Sequence, residues 1–567
     1  MPRGRSTRWC CGQSSRGVSQ GRRIRSGSPS APVICRGICS GYGAPVDEFL
    51  KWYFSDRPVV AASLGADGYD HTLGDFTASA WQAREREQVL WLDRLAAAEA
   101  PTLDDAIDRD LVLSQLRGSI ALASWPEWRR DPSVYLGAVF ASMYTPFQRR
   151  LKPEPELVAS ALSRLAEVPG VLAACRANLD PDLAAPLLVQ RGLGQARTGR
   201  NFLTRTIPSM VEDEQLRAQL AAAAEPAAAA FDELVTFLEG FECGGTWRMG
   251  ERLYSTLLRE RELLGYGAAE LHEKGKAAWA ELDARMREVA LQVNGTQDWR
   301  AAMEHLMDDH PPTLADMRAE YEAETLRARD FVRERDLVTF ADGEECHVLP
   351  SAEYTRPVLS VAHYLAPPPL SSSRTGVFFV PYTPDDFTPE QVRQRLRTNS
   401  RAQMPSIAVH EAYPGHHWHL SYMAGNPRTV RKVFRTPYFT EGWALYVEKM
   451  LHEQGYFDTP ATELAHLDCR IFRAARIVVD TALHCEDMSI EEAETFMATK
   501  ASLSPGTAQG EVNRYCAWPT QAPSYLTGAI EIERIRESFQ GTLKEFHDRI
   551  AGSGGLPLGL AEQATLA

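Results

Sequence analysis

Residues 410–417, His-Glu-Ala-Tyr-Pro-Gly-His-His, combine the side chains that can bind a metal ion and activate water. Imidazole and carboxylate groups are typical zinc ligands, and a hydrolytic zinc site keeps three protein ligands and one open position. The carboxylate beside the first histidine, Glu411, is then free to take a proton from the metal-bound water. This segment therefore predicts a hydrolytic metal site with His410 as a ligand and Glu411 as general base.

The second ligand is harder to assign, because the usual motif places its two histidines at i and i+4 on one helix face. Position i+4 is Pro414 here, followed by Gly415, and both residue types are typical of a helix kink or bulge. On a regular helix His416 would lie roughly 120° around the axis from His410, whereas His417 would lie about 10 Å further along it. A kink that absorbs two residues would return His416 to the ligand position. We therefore predict His416 as the second ligand and keep His417 as the alternative.

The third ligand is predicted at Glu441, about thirty residues downstream. Thr440 is a suitable N-cap and Gly455 a suitable stop, so the sequence predicts a helix with Glu441 in its first turn. A carboxylate there also favours the helix dipole, and only the pairing with the His410 motif favours metal binding over that structural role. Glu448, seven residues later on the same face, is interpreted as a residue that supports a ligand or faces solvent.

A stripe of polar residues is predicted on a later apolar helix. Arg476, Asp480 and His484 are spaced i, i+4, i+8, so they share one face. Charged groups on a buried helix need partners or a wet cavity. One interpretation is a buried ion-pair ladder. The other is an active-site wall, in which Asp480 orients a ligand histidine, His484 takes part in catalysis and Arg476 binds substrate.

The segment that contains Arg514, Tyr515 and Tyr525 is polar, aromatic and rich in turn-forming residues. A tyrosine hydroxyl can donate a hydrogen bond to the oxyanion that develops during attack on a carbonyl. An arginine can bind a substrate carboxylate through two parallel hydrogen bonds. We therefore predict Tyr515 and Tyr525 as catalytic donors and Arg514 as a substrate-binding residue, while composition alone would make all three packing or surface residues.

The chain resembles the domain of unknown function 885 family. That family carries His-Glu-x-x-Pro-Gly-His-His and a later Glu-Gly-Trp-Ala-Leu-Tyr, present here at residues 410–417 and 441–446, and the resemblance extends from about Phe49 to the C-terminus. The family in turn looks like a distant relative of the gluzincin metallopeptidases, whose third zinc ligand is a glutamate on a following helix. This likeness implies a two-lobed helical architecture that binds one zinc per chain, and it favours His416 over His417.

The chain departs from the family pattern at two places. His419 stands where the family usually has glutamine, and it adds a competing imidazole near the proposed site. After His484 the usual Gly-Trp pair is replaced by Asp487 and Met488. Neither departure removes a proposed ligand, so the resemblance still implies an active site.

The remaining sequence predicts a mainly α fold with a small β element near the active site. Segments rich in Ala, Leu, Arg and Glu, such as 268–293, are typical of helices. The clearest strand signal, Gly376–Val380, is interpreted either as a sheet edge that binds extended substrate, as in the peptidase relatives, or as part of a structural hairpin. A chain of 567 residues predicts more than one lobe. We divide it into a disordered Arg-rich extension, a helical N-terminal lobe and a metal-binding catalytic lobe, at residues 1–45, 46–370 and 371–567.

Charge and hydropathy indicate which classes of partner are expected. The first 46 residues hold eight arginines and no acidic residue, yet the whole chain has 61 basic and 75 acidic residues, so its body is strongly acidic. Such a body is not typical of proteins that bind nucleic acid or anionic membranes. Arg22 and Arg23 are not followed by the apolar segment of an export signal, and no apolar run approaches the roughly 18 residues of a membrane span. The sequence therefore predicts a cytoplasmic protein with no membrane or nucleic-acid partner.

Together these features predict a zinc-dependent hydrolase of peptide or other small amide bonds, with metal-activated water and Glu411 as general base. A short peptide or small amide is the expected substrate, because the peptidase relatives enclose a channel. The first alternative is a metal-dependent hydrolase of non-peptide ester or C–N bonds. The second is a non-catalytic helical binding protein that keeps the polar cluster as a buried hydrogen-bond network.

Overall fold

The computed structural model describes residues 44–351, 356 and 361–567. The extension predicted for residues 1–45 lies outside the described residues, except for its last two, which begin the first helix. The described residues all belong to one compact unit. In their first part, before the sheet, the α-helices are α1 Ala44–Asp56, α2 Pro58–Ser63, α3 Ala78–Ala96, α4 Leu103–Leu122, α5 Ser133–Arg149, α6 Glu154–Asn178, α7 Pro186–Asn201, α8 Ile207–Ser209, α9 Glu214–Ala223, α10 Glu225–Glu239, α11 Glu251–Thr256, α12 Ala268–Asn294, α13 Trp299–Leu306 and α14 Leu314–Glu334.

Local sequence signals set the ends of several of these helices. The Asp213 side chain caps α9 by accepting a hydrogen bond from the backbone N–H of Leu216, and Pro226 in the first turn of α10 separates α10 from α9. Gly295 ends α12 with φ of 78°, in the left-handed region that glycine adopts without strain. The helix predicted at 268–293 is thereby confirmed.

A small sheet follows, made of β1 Glu345–Pro350, β2 His363–Leu365 and β3 Thr375–Val380. Its order is β1-β3-β2, with β1 parallel and β2 antiparallel to β3. The strand predicted at Gly376–Val380 is therefore present but central, so its interpretation as a substrate-binding edge is wrong. Burial explains the error, because an apolar run shows that a strand is covered but not which neighbour pairs with it. The edge next to the candidate site belongs to β2.

Helices return after the sheet, and these carry the candidate site. Within the described residues they are α15 Pro389–Arg397, α16 Met404–Glu411, α17 His416–Met423, α18 Thr429–Val433, α19 Pro437–Glu453, α20 Pro460–Cys485, α21 Ile490–Lys500, α22 Pro505–Ala517, α23 Ser524–Ser538, α24 Leu543–Gly552 and α25 Leu558–Leu566. Helix α19 packs along α23, and α20 packs along α12. The prediction of a mainly helical fold with a small sheet is confirmed.

The largest apolar core joins both ends of the chain. Phe49 and Leu111 from the first helices lie in the same buried cluster as Trp443 and Ile532 from α19 and α23. A single core therefore crosses the boundary predicted at residue 370. The two-lobed gluzincin-like architecture is not confirmed by this arrangement.

One described helix, α6, is long and apolar enough to span a membrane by length and composition alone. This corrects the expectation that no apolar run approaches that length. Half of its most apolar window is buried, and its buried residues, including Leu165 and Leu172, belong to a second core that it shares with α5 and α10. In the folded chain α6 therefore packs as a core helix.

Candidate metal centre

The histidine motif spans two short helices, α16 and α17, with a break between them. Pro414 and Gly415 lie in the break, and a Cβ atom on Gly415 would come within 2.0 Å of the His410 carbonyl oxygen. The chain can therefore turn back closely only because residue 415 is glycine. The break brings the His416 ring beside the His410 ring, with 4.8 Å between their centroids. The predicted kink is present, and it has the predicted effect on His416.

Glu441 lies on α19, whose start differs from the prediction. The helix begins at Pro437 with Thr436 as its N-cap, so the predicted start at Thr440 is wrong. A proline favours the first helical position, because its fixed φ suits a helix and its missing N–H is not needed there. Glu441 consequently lies in the second turn, where the favourable effect of the helix dipole on a carboxylate is weaker.

The residues after Glu441 hold α19 in place. Gly442 allows α23 to pack directly on α19, because a Cβ atom on Gly442 would come within 2.5 Å of the Gly528 Cα. Trp443 donates its indole N–H to the Pro414 carbonyl oxygen at 2.8 Å, which ties α19 to the break in the histidine motif. The Glu-Gly-Trp segment thus positions its own carboxylate against the two histidines.

Three donor groups converge where these helices meet. Glu441 Oε2 lies 3.7 Å from His410 Nε2 and 3.4 Å from His416 Nε2. Among the described residues these three form the one group of His, Cys, Asp or Glu side chains with all ligand atoms within 4.8 Å of one another. Ligands bound to zinc at about 2.1 Å in a tetrahedron lie about 3.4 Å apart. The donor types and the two separations from Glu441 therefore fit a divalent cation such as zinc.

Glu448 supports this cluster from behind. Its Oε1 lies 2.8 Å from His410 Nδ1, and its side chain is 1% exposed. Burial lowers the pKa of His410, but the carboxylates of Glu441 and Glu448 outweigh that effect and raise it to about 9. A carboxylate that binds one ring nitrogen of a histidine orients the other nitrogen. Glu448 therefore directs His410 Nε2 toward Glu441, in keeping with the supporting role considered for it.

His417, the alternative ligand, faces away from this cluster. Its Nε2 lies 2.6 Å from Glu344 Oε2, and its Nδ1 lies 2.9 Å from the Tyr364 hydroxyl. Both ring nitrogens are therefore engaged. Consecutive helical residues point about 100° apart, so α17 can direct only one of the two histidines at Glu441. The structure places His416 there.

The competing imidazole of His419 also stays outside the cluster. Its ring is fully buried against Phe439 and Trp443, and neither nitrogen has a hydrogen-bond partner within the described part of the chain. Burial holds the pKa of His419 well below its usual value. This residue packs as an uncharged core ring.

The arginines predicted to bind substrate are paired with a carboxylate instead. Arg476 Nη2 and Arg514 Nη2 donate to Glu511 Oε2 at 2.8 and 2.9 Å, and the Tyr515 hydroxyl donates to the same oxygen at 2.6 Å. Burial raises the pKa of Glu511, but the two arginines outweigh it and hold it at about 2. The ion-pair interpretation therefore applies, and the substrate-binding and catalytic roles predicted for these three residues are not supported. Glu511 was not singled out in the sequence, because its more buried ion-pair partner, Arg476, comes from another helix.

Replacing Glu511 with glutamine should lower stability and leave metal binding unchanged. The substitution leaves Arg476 buried without its counter-ion, so we expect a loss of about 3–5 kcal/mol in the free energy of unfolding. The pKa of Glu511 is lower in the folded than in the unfolded chain, so its contribution is present above about pH 4.5 and is lost as the pH falls toward 2. Urea unfolding at pH 7 and pH 3 measures both effects. Unchanged stability at pH 7 would contradict the structural role.

The other two residues of the polar stripe also face away from the metal cluster. Asp480 accepts hydrogen bonds from the Tyr254 hydroxyl and from the backbone N–H of Thr520. His484 accepts a backbone hydrogen bond at Nδ1 and donates from Nε2 to the Tyr515 carbonyl at 3.0 Å, and burial lowers its pKa to about 4. These contacts do not support the orienting role predicted for Asp480 or the catalytic role predicted for His484. Helical spacing grouped these residues correctly, but it could not show which neighbour their face meets.

Glu411 and Tyr525 are the two remaining predicted residues, and both are near enough to the cluster for charges to act between them and its members. Glu411 is 9% exposed, and its carboxylate has no hydrogen-bond partner among the residues that the structure describes. Tyr525 is half-buried, its hydroxyl has no such partner either, and burial together with the nearby charge of Glu441 raises its pKa. Both side chains keep a polar group available for a bound molecule.

An open cleft of about 400 Å³ reaches the cluster. His416 and Glu441 line it, together with Tyr364 from β2 and Arg435 from the segment before α19. Tyr364 and Arg435 were not predicted from the sequence. The only available signal for Arg435 was its position just before the Thr-Pro start of α19.

Two solved structures share the fold. The chain aligns with a candidate lipoprotein of unknown function from Shewanella oneidensis at 22% identity and a TM-score of 0.77, over 92% of this chain and 99% of that one. It aligns with a candidate lipoprotein from Colwellia psychrerythraea at 16% identity and a TM-score of 0.72, over 92% and 98%. At these identities the likeness shows the fold and carries no activity over to this chain.

These relatives also bear on location. A lipoprotein is held at a membrane by its lipid, and both structures carry that designation. The cytoplasmic location predicted from the sequence is therefore contradicted. That prediction depended on the absence of an apolar segment after Arg22 and Arg23. Both arginines lie outside the described residues.

Family membership rests on the sequence of nearly the whole chain. No curated protein matches it. The sequence profile of DUF885, described as a bacterial protein of unknown function, matches residues 58–564. This match includes the histidine motif, the glutamate segment and all the helices that position them. The resemblance seen in the sequence is thereby confirmed, and the chain belongs to the DUF885 family.

Proposed function

We propose that this chain is a zinc-dependent hydrolase of peptide or other small amide bonds, with a metal site of the gluzincin type. The convergence of His410, His416 and Glu441 within 4.8 Å carries the proposal. Two imidazoles and one carboxylate leave a fourth position for water, which is the ligand set of catalytic rather than structural zinc. The free carboxylate of Glu411 beside this set is the second requirement of such a site.

The protein's own residues then have distinct roles. A zinc ion bound here would acidify its water and polarise the substrate carbonyl. Glu411 accepts the proton of that water and passes it to the leaving amine. The Tyr525 hydroxyl donates a hydrogen bond to the oxyanion. Glu448 holds His410 in the orientation that binding requires.

The edge of β2 offers a place for the substrate backbone. Strand β2 pairs with β3 on one side only within the described residues, and its Tyr364 lines the cleft. An extended peptide can add to such an edge by main-chain hydrogen bonds. A small cleft with a strand edge favours short peptides over folded proteins.

Metal-dependent cleavage of short peptides is the direct test. The purified chain is loaded with zinc and incubated with peptides whose termini are free or blocked, and products are identified by mass spectrometry. We expect cleavage that stops when a chelator removes the metal and returns when zinc is restored. Cleavage of esters but of no peptide would overturn the substrate class, and a folded chain that cannot be loaded with any divalent metal would overturn the proposal.

A further inference from the structure

Arg435 is a positive charge without a counter-ion in the metal cleft. It lines the same cleft as His416 and Glu441, and it makes no ion pair or hydrogen bond with any residue that the structure describes. Arg431, one turn earlier in the chain, is instead bound to Asp108 at 2.6 Å and to Asp104 at 2.8 Å. Carboxylates therefore neutralise Arg431 but not Arg435. The guanidinium of Arg435 is left available for an anion from solution.

The backbone of Arg435 is fixed rather than mobile. The next residue, Thr436, donates its N–H to the Gly555 carbonyl at 2.9 Å and caps α19. A Cβ atom on Gly555 would come within 2.9 Å of the Arg435 Cγ. The aliphatic base of the Arg435 side chain therefore packs against the segment before α25. A guanidinium held in this way loses less conformational entropy when it binds a carboxylate.

Arg149 adds a second positive charge near this end of the cleft. Its Nη1 donates to the Ser63 carbonyl at 2.6 Å, while its buried Nε has no partner in the described chain. Burial lowers the pKa of Arg149 to about 10, and the charge of Arg435 contributes to the shift. The Tyr364 hydroxyl lies close enough to act on both arginines electrostatically. Two guanidinium groups without a carboxylate repel each other, and a bound anion would relieve that repulsion.

We propose that Arg435, supported by Arg149, binds the free C-terminal carboxylate of a peptide, so that the chain acts as a carboxypeptidase. This inference rests on the hydrolase function proposed above. One turn of α19, about 6 Å, separates Pro437 from Glu441. A peptide extends by about 3.3–3.6 Å per residue. Because Arg435 and Glu441 line the same cleft, we expect a peptide whose carboxylate binds Arg435 to be cut within its last one or two residues, which releases single amino acids or dipeptides.

The test compares two N-acetylated peptides of identical sequence, one with a free C-terminal carboxylate and one with a C-terminal amide. Wild-type protein loaded with zinc should cleave the free acid with a kcat/KM about 10- to 100-fold higher, since a lost charge-assisted hydrogen bond has about this effect. Arg435→Ala should lower kcat/KM for the free acid to the level of the amide and leave the amide unchanged. Arg435→Lys should restore part of the preference, because lysine keeps the charge but not the paired donors.

Arg393→Ala is the matched control, because this exposed arginine forms its ion pair in the described chain with Glu390 on the same helix, α15. The substitution should leave kcat/KM unchanged for both peptides. Calorimetric binding of the acetylated free-acid peptide to Glu411→Gln protein, with and without Arg435→Ala, measures the carboxylate contact independently of turnover. Equal cleavage of acid and amide by wild type would overturn the carboxypeptidase inference and leave the hydrolase function standing. Failure to cleave either peptide, with Arg435-dependent binding intact, would instead overturn the hydrolase function. If Arg435→Ala does not fold, the comparison of free-acid and amide peptides with wild-type protein still tests the carboxypeptidase inference.

Discussion

Glu411→Gln protein should keep about one zinc per chain and lose peptide hydrolysis by about 10²- to 10⁴-fold. Glutamine has nearly the same shape as glutamate, but it cannot accept the proton of the metal-bound water. Glu411 has no hydrogen-bond partner among the described residues, so the substitution breaks no contact that holds α16 in place. We therefore expect loss of kcat without loss of stability or of metal.

Elemental mass spectrometry, thermal unfolding and peptide kinetics on the same preparation measure these three properties together. Metal content identifies a variant that failed to load, and the unfolding midpoint identifies one that failed to fold. Turnover within about threefold of wild type at full metal occupancy would remove Glu411 from the mechanism. The water would then have to be deprotonated by another group at the cluster.

His410→Ala and His416→Ala should each abolish stoichiometric zinc binding, whereas His417→Ala should retain it. The first two remove one of three ligands, and the remaining two groups cannot complete a tetrahedral site. His417 instead binds Glu344 and Tyr364, at 2.6 and 2.9 Å. Its loss leaves the buried Glu344 carboxylate with one partner fewer, so we expect lower stability at unchanged metal content.

The three histidine variants form a matched set, because they remove the same side chain within eight residues. Metal content per chain is measured after loading with excess zinc and removal of the unbound ion. Zinc loss in His417→Ala with retention in His416→Ala would reverse the ligand assignment. Retention in all three would exclude a metal site at this cluster and favour the hydrogen-bond network of a non-catalytic protein.

Residue spacing predicted that His410, His416 and Glu441 converge, because short-range features bring them together. Pro414 and Gly415 are local signals for a break, and the break alone decides where His416 points relative to His410. The later glutamate could be found because it follows in a motif of its own. The carboxylate that supports His410 was harder to predict, since Glu448 and Asp480 are both acidic residues on helices near the site. Only the packing of the helices showed that Glu448 is the one beside His410.

The arginines show where such reasoning fails. Arg476, Arg514 and Arg435 carry the same side chain, so residue type does not separate an arginine that binds substrate from one that forms an ion pair. Arg476 meets Glu511 across the contact between α20 and α22, whereas Arg514 pairs with it inside α22. Arg435 meets no carboxylate in the described chain. The interpretation of Gly376–Val380 as a sheet edge failed for a related reason, since the apolar pattern of a strand indicates burial but not the order in which strands pair.

The amino-acid sequence by itself determined the mainly helical fold, the break in the histidine motif and the types of side chain at the cluster. These follow from helix propensity, from proline and glycine, and from donor chemistry, all of which act within a few residues along the chain. Only the tertiary structure decided which charges are neutralised and which face the cleft. Pairing of charges depends on contacts between distant helices, and the free energy of a charged group is set by what surrounds it rather than by its neighbours in sequence.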